Sequence, residues 1–180
     1  MKKILTIISI LVSASAMTCK AQDKPVRSLY AGASMSYTEF LMEDGIATPD
    51  GPCYNLGYFR TKSVFGLYCE LTAGKAKTDQ QLENGSSNYL SAAAYLTFKK
   101  GTRFQYELSP FGFGVTYLSS SPNSFLSFAA QAKALYYLTP NFAVYAKCNA
   151  GVYGRATEKN LDQNDLSYGI SLGLGLAVSF

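Results

Sequence analysis

Apolar residues alternate with small or weakly polar residues along most of the chain, and the alternation is clearest in the last fifteen residues. From Leu166 to Phe180 every second residue is apolar, and the residues between them are Ser, Gly or Ala. Because successive side chains of a β-strand point to opposite faces, this pattern predicts a strand with one apolar face and one face of very small side chains. The length suits a strand that crosses a tilted membrane wall better than a strand of a soluble protein.

The same period of two recurs seven times upstream, so the sequence predicts eight strands. They cover residues 29–37, 53–60, 64–74, 89–98, 104–118, 125–138, 142–153 and 166–180. In the fifth strand the alternation changes phase at Ser109-Pro110. Proline cannot donate a hydrogen bond to a sheet, and we therefore expect a β-bulge at these two residues.

The predicted connections alternate in length. Residues 40–52, 75–88 and 155–165 form long polar segments, 119–124 an intermediate one, and 61–63, 99–103 and 139–141 short turns. Long loops at one end and tight turns at the periplasmic end are typical of bacterial outer-membrane barrels. An eighth strand also allows the sheet to close, which leaves no unpaired edge. The predicted fold class is therefore all-β, an eight-stranded antiparallel up-and-down transmembrane β-barrel.

The N-terminus has the three-part plan of a secretory signal peptide. Lys2 and Lys3 precede an apolar run that is too short to span a bilayer, and small residues follow it. Cleavage after Ala16 is possible, and cleavage after Ala21 is favoured; the residues before Cys19 match a lipid-attachment motif poorly. We expect a signal peptide over 1–21 and an outer-membrane barrel domain over 22–180.

Composition restricts the function classes. The predicted signal peptide contains three lysines and no acidic residue, so the mature chain would carry 13 basic and 12 acidic residues. This near balance of charge gives no argument for nucleic-acid binding. The absence of histidine excludes Ser-His-Asp and Cys-His nucleophiles and His-ligated metals. We therefore expect no enzyme activity, catalytic residue, metal or cofactor. Cys53, Cys69 and Cys148 allow one disulfide, but unpaired cysteines are the favoured interpretation.

Two segments carry a family resemblance. They are Tyr137-Leu138-Thr139-Pro140-Asn141 with the following Phe142-Ala143-Val144-Tyr145, and the strand that ends at Phe180. With these segments the chain resembles the small OmpA/OmpX-like outer-membrane barrels, the porin family of Gram-negative bacteria. The resemblance implies a monomer in outer-membrane lipid, and an assembly signal for the barrel-assembly machinery at Leu172, Leu174, Leu176, Val178 and Phe180. The family often has Tyr where this chain has Val178.

Four charged residues are predicted to face the barrel interior at similar depth: Glu70, Glu107, Lys133 and Lys147. Buried charges are tolerated only when they are paired or hydrogen-bonded, so this lumen charge network is expected to form ion pairs. The network acts either as a structural plug or as a gate for ions and small solutes. Two carboxylates also allow a hydrolase interpretation, which is disfavoured because cations lie beside them in a packed lumen.

Most of the acidic residues are predicted at the outer end. Nine of the 12 fall in or beside the long connections: Glu39, Glu43, Asp44, Asp50, Asp79, Glu83, Glu158, Asp162 and Asp165. The leading functional prediction is a structural, adhesive or surface-interaction role through acidic extracellular loops. The first alternative is a minimal channel gated by the lumen charge network. The second is a soluble secreted barrel of lipocalin type, which would turn its apolar residues inward around a cavity.

Overall fold

The computed structural model describes residues 26–42, 45–62, 64–80, 84–121, 124–156 and 166–180. These residues form ten strands: β1 (Val26–Thr38), β2 (Phe40–Met42), β3 (Gly45–Pro49), β4 (Cys53–Thr61), β5 (Phe65–Gln80), β6 (Asn84–Gly101), β7 (Phe104–Leu118), β8 (Ser124–Tyr137), β9 (Phe142–Ala156) and β10 (Leu166–Ser179). In the same ranges no helix is long and apolar enough to cross a membrane. The predicted signal peptide lies outside the described residues.

Eight of the ten strands form a closed barrel. Strand β1 pairs with both β4 and β10, and the antiparallel pairing continues through β9, β8, β7 and β6. The pairing of β5 with β6, which is in register from Phe65↔Phe98 to Asp79↔Asn84, closes the sheet on itself. The predicted fold class, an all-β eight-stranded up-and-down barrel, is confirmed.

The predicted bulge in the fifth barrel strand is also present. The pairing of β7 with β8 shifts register between Ser109 and Gly112, around Pro110. The pairing of β7 with β6 shifts between Leu96 and Phe98. The irregularity therefore affects both neighbours of β7, as expected where a strand has an extra residue and a missing donor.

The prediction of a long polar loop over residues 40–52 is wrong. Strands β2 and β3 form a short hairpin there, with Phe40 opposite Ala47, and β3 continues the sheet beside the outer part of β5. Phe40 and Ala47 are both fully buried. The segment does not show a strand pattern in the sequence because each strand has very few residues, and acids, Gly and Pro surround them.

The prediction of a long polar loop over residues 75–88 is also wrong. Strand β5 continues to Gln80 and β6 begins at Asn84, so the two form a hairpin that extends beyond the apolar wall. Backbone pairing does not require apolar side chains on both faces: Lys75 and Lys77 face water, whereas Ala76 and Thr78 on the opposite face are buried. We define the outer sheet as β2, β3, residues 75–80 of β5 and residues 84–88 of β6.

The outside of the barrel is an apolar belt. Outward residues such as Leu56, Phe111, Phe128 and Leu174 are 65–73 % exposed. Tyrosines border this belt at the outer end, and Phe and Tyr border it at the opposite end: Tyr37, Tyr54, Tyr117 and Tyr168 above, Phe65, Phe104, Tyr136 and Phe180 below. Such a belt with aromatic borders matches the hydrocarbon core and interfaces of a bilayer. The lipocalin-type alternative requires apolar side chains that face inward around a cavity, whereas here the large apolar side chains of the belt face outward.

Candidate functional site

The interior of the barrel, here called the lumen, is filled in layers, and the layer at the periplasmic end is aromatic and apolar. Its members are inward-facing side chains of β1, β4, β8, β9 and β10: Tyr30, Phe59, Leu135, Tyr137, Ala143 and Ala177, all of them buried. Eight strands enclose a lumen that side chains can fill. The layer therefore closes the barrel at this end.

The four predicted charged residues lie together above this layer, in two ion pairs. The Nζ atom of Lys147 lies 2.7 Å from Oε1 of Glu70, across the lumen from β9 to β5. The Nζ atom of Lys133 lies 3.4 Å from Oε2 of Glu107 on the neighbouring strand. All four residues are at least 94 % buried, so each charge depends on the partners that the protein supplies.

Two tyrosines join the pairs into one network. The hydroxyl of Tyr30 donates to Glu107 Oε1 at 2.5 Å, and the hydroxyl of Tyr68 donates to Glu70 Oε2 at 2.5 Å. Both rings also contact Lys133, whose Nζ lies 2.9 Å from the Tyr68 centroid and 4.5 Å from the Tyr30 centroid. Each tyrosine thus serves one carboxylate through its hydroxyl and the ammonium of Lys133 through its ring.

The network also contains Lys99, and the prediction that this residue lies in a short turn is wrong. Lys99 belongs to β6 and reaches inward, with Nζ 3.9 Å from Glu107 Oε1 and 3.4 Å from the hydroxyl of Tyr137. The spacing from Tyr95 and Thr97 could have revealed it, because residues two apart on a strand share a face. The network therefore comprises three lysines and two glutamates.

A small polar cavity lies above the charge network. Ser34, Asn55, Thr72 and Asn149 are among its lining residues, and its volume is about 30 Å³. The side-chain oxygen of Asn149 and both amide atoms of the neighbouring Gln131 are buried without a hydrogen-bond partner in the protein. Buried polar groups of this kind are ordinarily satisfied by internal water, and a cavity of this size holds very little else.

The outer mouth of the lumen is closed by the β2–β3 hairpin. Phe40 packs on Tyr89, Phe125 and Tyr153 with ring centroids 5.2–5.7 Å apart. Ala47, Cys53, Ala76 and Leu118 complete the buried cluster, which we call the lid. The lid is not predictable from the alternation, because Phe40 begins a segment that shows no strand pattern. Its only signal was one aromatic residue in phase with the inward face of β1.

The three cysteines that the structure describes are unpaired. Cys53 is buried in the lid, whereas Cys69 and Cys148 are exposed on the apolar belt. Among the described residues, no three His, Cys, Asp or Glu side chains are grouped so that they could hold a metal ion. Each lumen carboxylate contacts a lysine and a tyrosine.

The predicted assembly-signal residues lie on the outward face of β10. Leu172, Leu174, Leu176, Val178 and Phe180 are all exposed, with Phe180 at the periplasmic rim. Strand β10 pairs with β1, and the backbone of Phe180 exchanges hydrogen bonds with Arg27 at 2.9 and 3.2 Å. The C-terminal strand therefore forms the seam at which the first and last strands of the barrel meet.

Comparison with known proteins supports the fold. No family model matches the chain, and no curated protein matches it. Several solved structures do match. One is OprG of Pseudomonas aeruginosa, with a TM-score of 0.56 and 11% sequence identity; the match covers 89% of this chain and 98% of OprG. The fold is that of a small outer-membrane β-barrel. Ail of Yersinia pestis matches with TM-score 0.52 and 20% identity over 87% of this chain and 99% of that one.

The surface protein NspA of Neisseria shares the same fold. It matches with TM-score 0.51 and 12% identity over 90% of this chain and 100% of that one. OprG is an outer-membrane protein and NspA a surface protein, and the apolar belt of this barrel fits an outer membrane. The predicted outer-membrane barrel is confirmed at the level of the fold.

Proposed function

We propose that this outer-membrane barrel is closed to solutes and acts through its outer surface, in a structural, adhesive or surface-interaction role. The observation that carries the proposal is the combination of a filled lumen with strands that extend beyond the apolar belt. A barrel that works as a pore keeps an aqueous path, whereas a barrel that works by contact needs only a rigid support for its outer segments.

Three obstructions in series support the closed lumen. The lid closes the outer mouth, the charge network fills the centre, and the aromatic layer closes the periplasmic end. The gated-channel alternative requires rearrangement at all three levels. Breaking either central ion pair would leave a buried charge without its partner, which costs several kcal/mol per ion.

The outer sheet supports the second half of the proposal. It places β2, β3 and the outer ends of β5 and β6 beyond the apolar belt, where a molecule outside the cell can contact them. Glu39 and Asp50 flank the β2–β3 hairpin and are both exposed. The acidic side chains beside this hairpin favour a basic partner at this part of the outer surface.

A cell-adhesion assay tests this role. Cells that display the wild-type protein should adhere to a polylysine-coated surface and not to a dextran sulfate-coated one. Replacing Glu39, Glu43, Asp44 and Asp50 by their amides should weaken that adhesion, and added salt should weaken it further, because exposed charges are screened. The matched control carries Lys100→Gln and Arg103→Gln at the opposite end. Equal adhesion of wild type, acid variant and vector-only cells would overturn the proposal.

We also propose that the outward residues of β10 are the signal read by the barrel-assembly machinery. Phe180 is 61 % exposed at the rim and has no packing role in the lumen that would explain an aromatic residue there. Phe180→Ser should therefore reduce the folded protein in the outer membrane, measured by heat-dependent gel mobility of membrane fractions. Phe104→Ser, which removes another exposed aromatic near the same end, is the control and should have little effect. Equal loss in both variants would contradict the assignment.

A further inference from the structure

The apolar belt contains a groove on the side formed by β4, β5, β6 and β7. Its floor consists of the small side chains Cys69, Ala92 and Ala94, and its rims include Leu56 and Phe113. Cross-strand pairing places Cys69 beside Ala94, and Leu71 beside Ala92. The groove has a volume of about 500 Å³, which lies within the range of ligand-binding clefts.

Above the groove, β5 carries a pair of lysines. Ala73 follows Leu71 on the outward face, and Lys75 and Lys77 follow Ala73. Lys75 lies four positions beyond Leu71 along the strand, a rise of about 13 Å. Both lysines are exposed, just above the level of the bordering tyrosines Tyr54 and Tyr117, where the headgroups of the outer leaflet would lie.

The lysine pair can bind an anion. Neither ammonium group forms a salt bridge with a carboxylate whose side chain the structure describes. Asp50 donates its backbone N–H to the Lys75 carbonyl at 2.8 Å but makes no salt bridge with that side chain. The exposed side chains opposite the lysines on β6 are Asn88 and Ser86, which supply additional hydrogen-bond donors.

We propose that this wall is a binding site for a phosphate-bearing lipid of the outer leaflet. One acyl chain lies in the groove over Cys69, Ala92 and Ala94, and the phosphate is held by Lys75 and Lys77. The lipid is favoured over a second copy of the barrel because cations stand at headgroup height directly above an acyl-sized groove. The proposal depends on the membrane location of the barrel and not on the role of its outer sheet.

The far side of the barrel provides a matched control within the same chain. Ala130, Ala132 and Ala134 of β8 lie beside Ala150, Cys148 and Ala146 of β9, so the belt is also lined by small residues there. Above these residues the positions in outward phase on β8 and β9 are Phe128, Leu126, Ser124, Val152 and Gly154, and none carries a charge. Small outward side chains are therefore present on both sides, whereas among the outward positions that the structure describes on these strands, cations stand above them on β5 and not on β8 or β9.

Native mass spectrometry of the full-length barrel in phosphatidylcholine nanodiscs tests the proposal. The discs contain a small fraction of dioleoyl phosphatidic acid or, in parallel, dioleoylglycerol, which has the same chains without the phosphate. Wild type should retain phosphatidic acid in preference to dioleoylglycerol. Lys75→Gln and Lys77→Gln should each lower this retention about fivefold, the effect of one cation at a membrane surface. Ala92→Phe should abolish it by filling the groove.

The controls are Ala132→Phe on the far side and Lys100→Gln at the opposite end, and both should retain phosphatidic acid as wild type does. Heat-dependent gel mobility verifies that every variant is folded. Equal retention of the two lipids would overturn the proposal, because it would show no recognition of the phosphate. Retention that is lost in Ala132→Phe but not in Ala92→Phe would overturn it as well, since the lipid would then lie on the other wall.

Discussion

Replacing Glu107 by alanine should destabilise the barrel by about 3–5 kcal/mol, the usual cost of removing one partner from a buried ion pair. Glu107 is 1 % exposed and accepts contacts from Lys133, Lys99 and the hydroxyl of Tyr30. Its removal leaves the ammonium of Lys133 in the lumen beside another ammonium group, that of Lys147 on the adjacent strand. Urea unfolding in lipid vesicles, followed by heat-dependent gel mobility, measures the change.

Two further variants show whether the effect belongs to the ion pair. Glu39→Ala removes an exposed acid and should leave stability within about 0.5 kcal/mol of wild type. The double variant Glu107→Leu, Lys133→Met replaces both charges by apolar groups and should recover much of the lost stability. A loss below about 1 kcal/mol in Glu107→Ala would show that the network is solvated and would contradict the description of a closed centre.

Replacing Phe40 by alanine should open the outer mouth while the barrel remains folded. Phe40 is fully buried among three aromatic rings, and such truncations cost about 3–5 kcal/mol of packing. Because Phe40 belongs to the short β2–β3 hairpin, we expect this cost to appear as local opening rather than global unfolding. Cys53 is the reporter, since it is 1 % exposed and packs in the lid above the cavity.

The measurement is the reaction of Cys53 with a charged, membrane-impermeant thiol reagent. The background carries Cys69→Ala and Cys148→Ala, because both thiols lie on the apolar belt. Phe40→Ala should accelerate labelling about a hundredfold, the equivalent of about 3 kcal/mol of lost lid stability. Ile46→Ala, on the exposed face of the same hairpin, is the control. Unchanged labelling in Phe40→Ala would show that Phe40 does not close the mouth.

The barrel itself was predictable from the sequence because a membrane imposes a strict pattern. Each strand has lipid on one face and a narrow lumen on the other, so the alternation recurs at every crossing. The phase change at Pro110 likewise indicated the bulge before the structure showed it. The outer sheet carries no such pattern: the strands at Lys75 and Ser87 have water on their outer face, and their pairing depends on backbone hydrogen bonds.

The centre of the lumen was predictable only in part. Glu70, Glu107, Lys133 and Lys147 were found because they share the inward phase and a similar depth. Their partners across the lumen were not, because Tyr30 and Glu107 lie on strands that are not neighbours in the sheet. Contacts of this kind depend on the stagger of the strands around the barrel, which the period of two does not specify.

Planar-bilayer recording of the purified wild-type barrel tests the central claim of a closed lumen most directly. With the lid, the charge network and the aromatic layer in series, the protein should insert without steady unitary conductance, and Lys133→Ala should be equally silent. Stable conductance steps in wild type that change in size or ion selectivity in Lys133→Ala would contradict the account. Such steps would show that ions pass along the network and that the barrel is a gated channel.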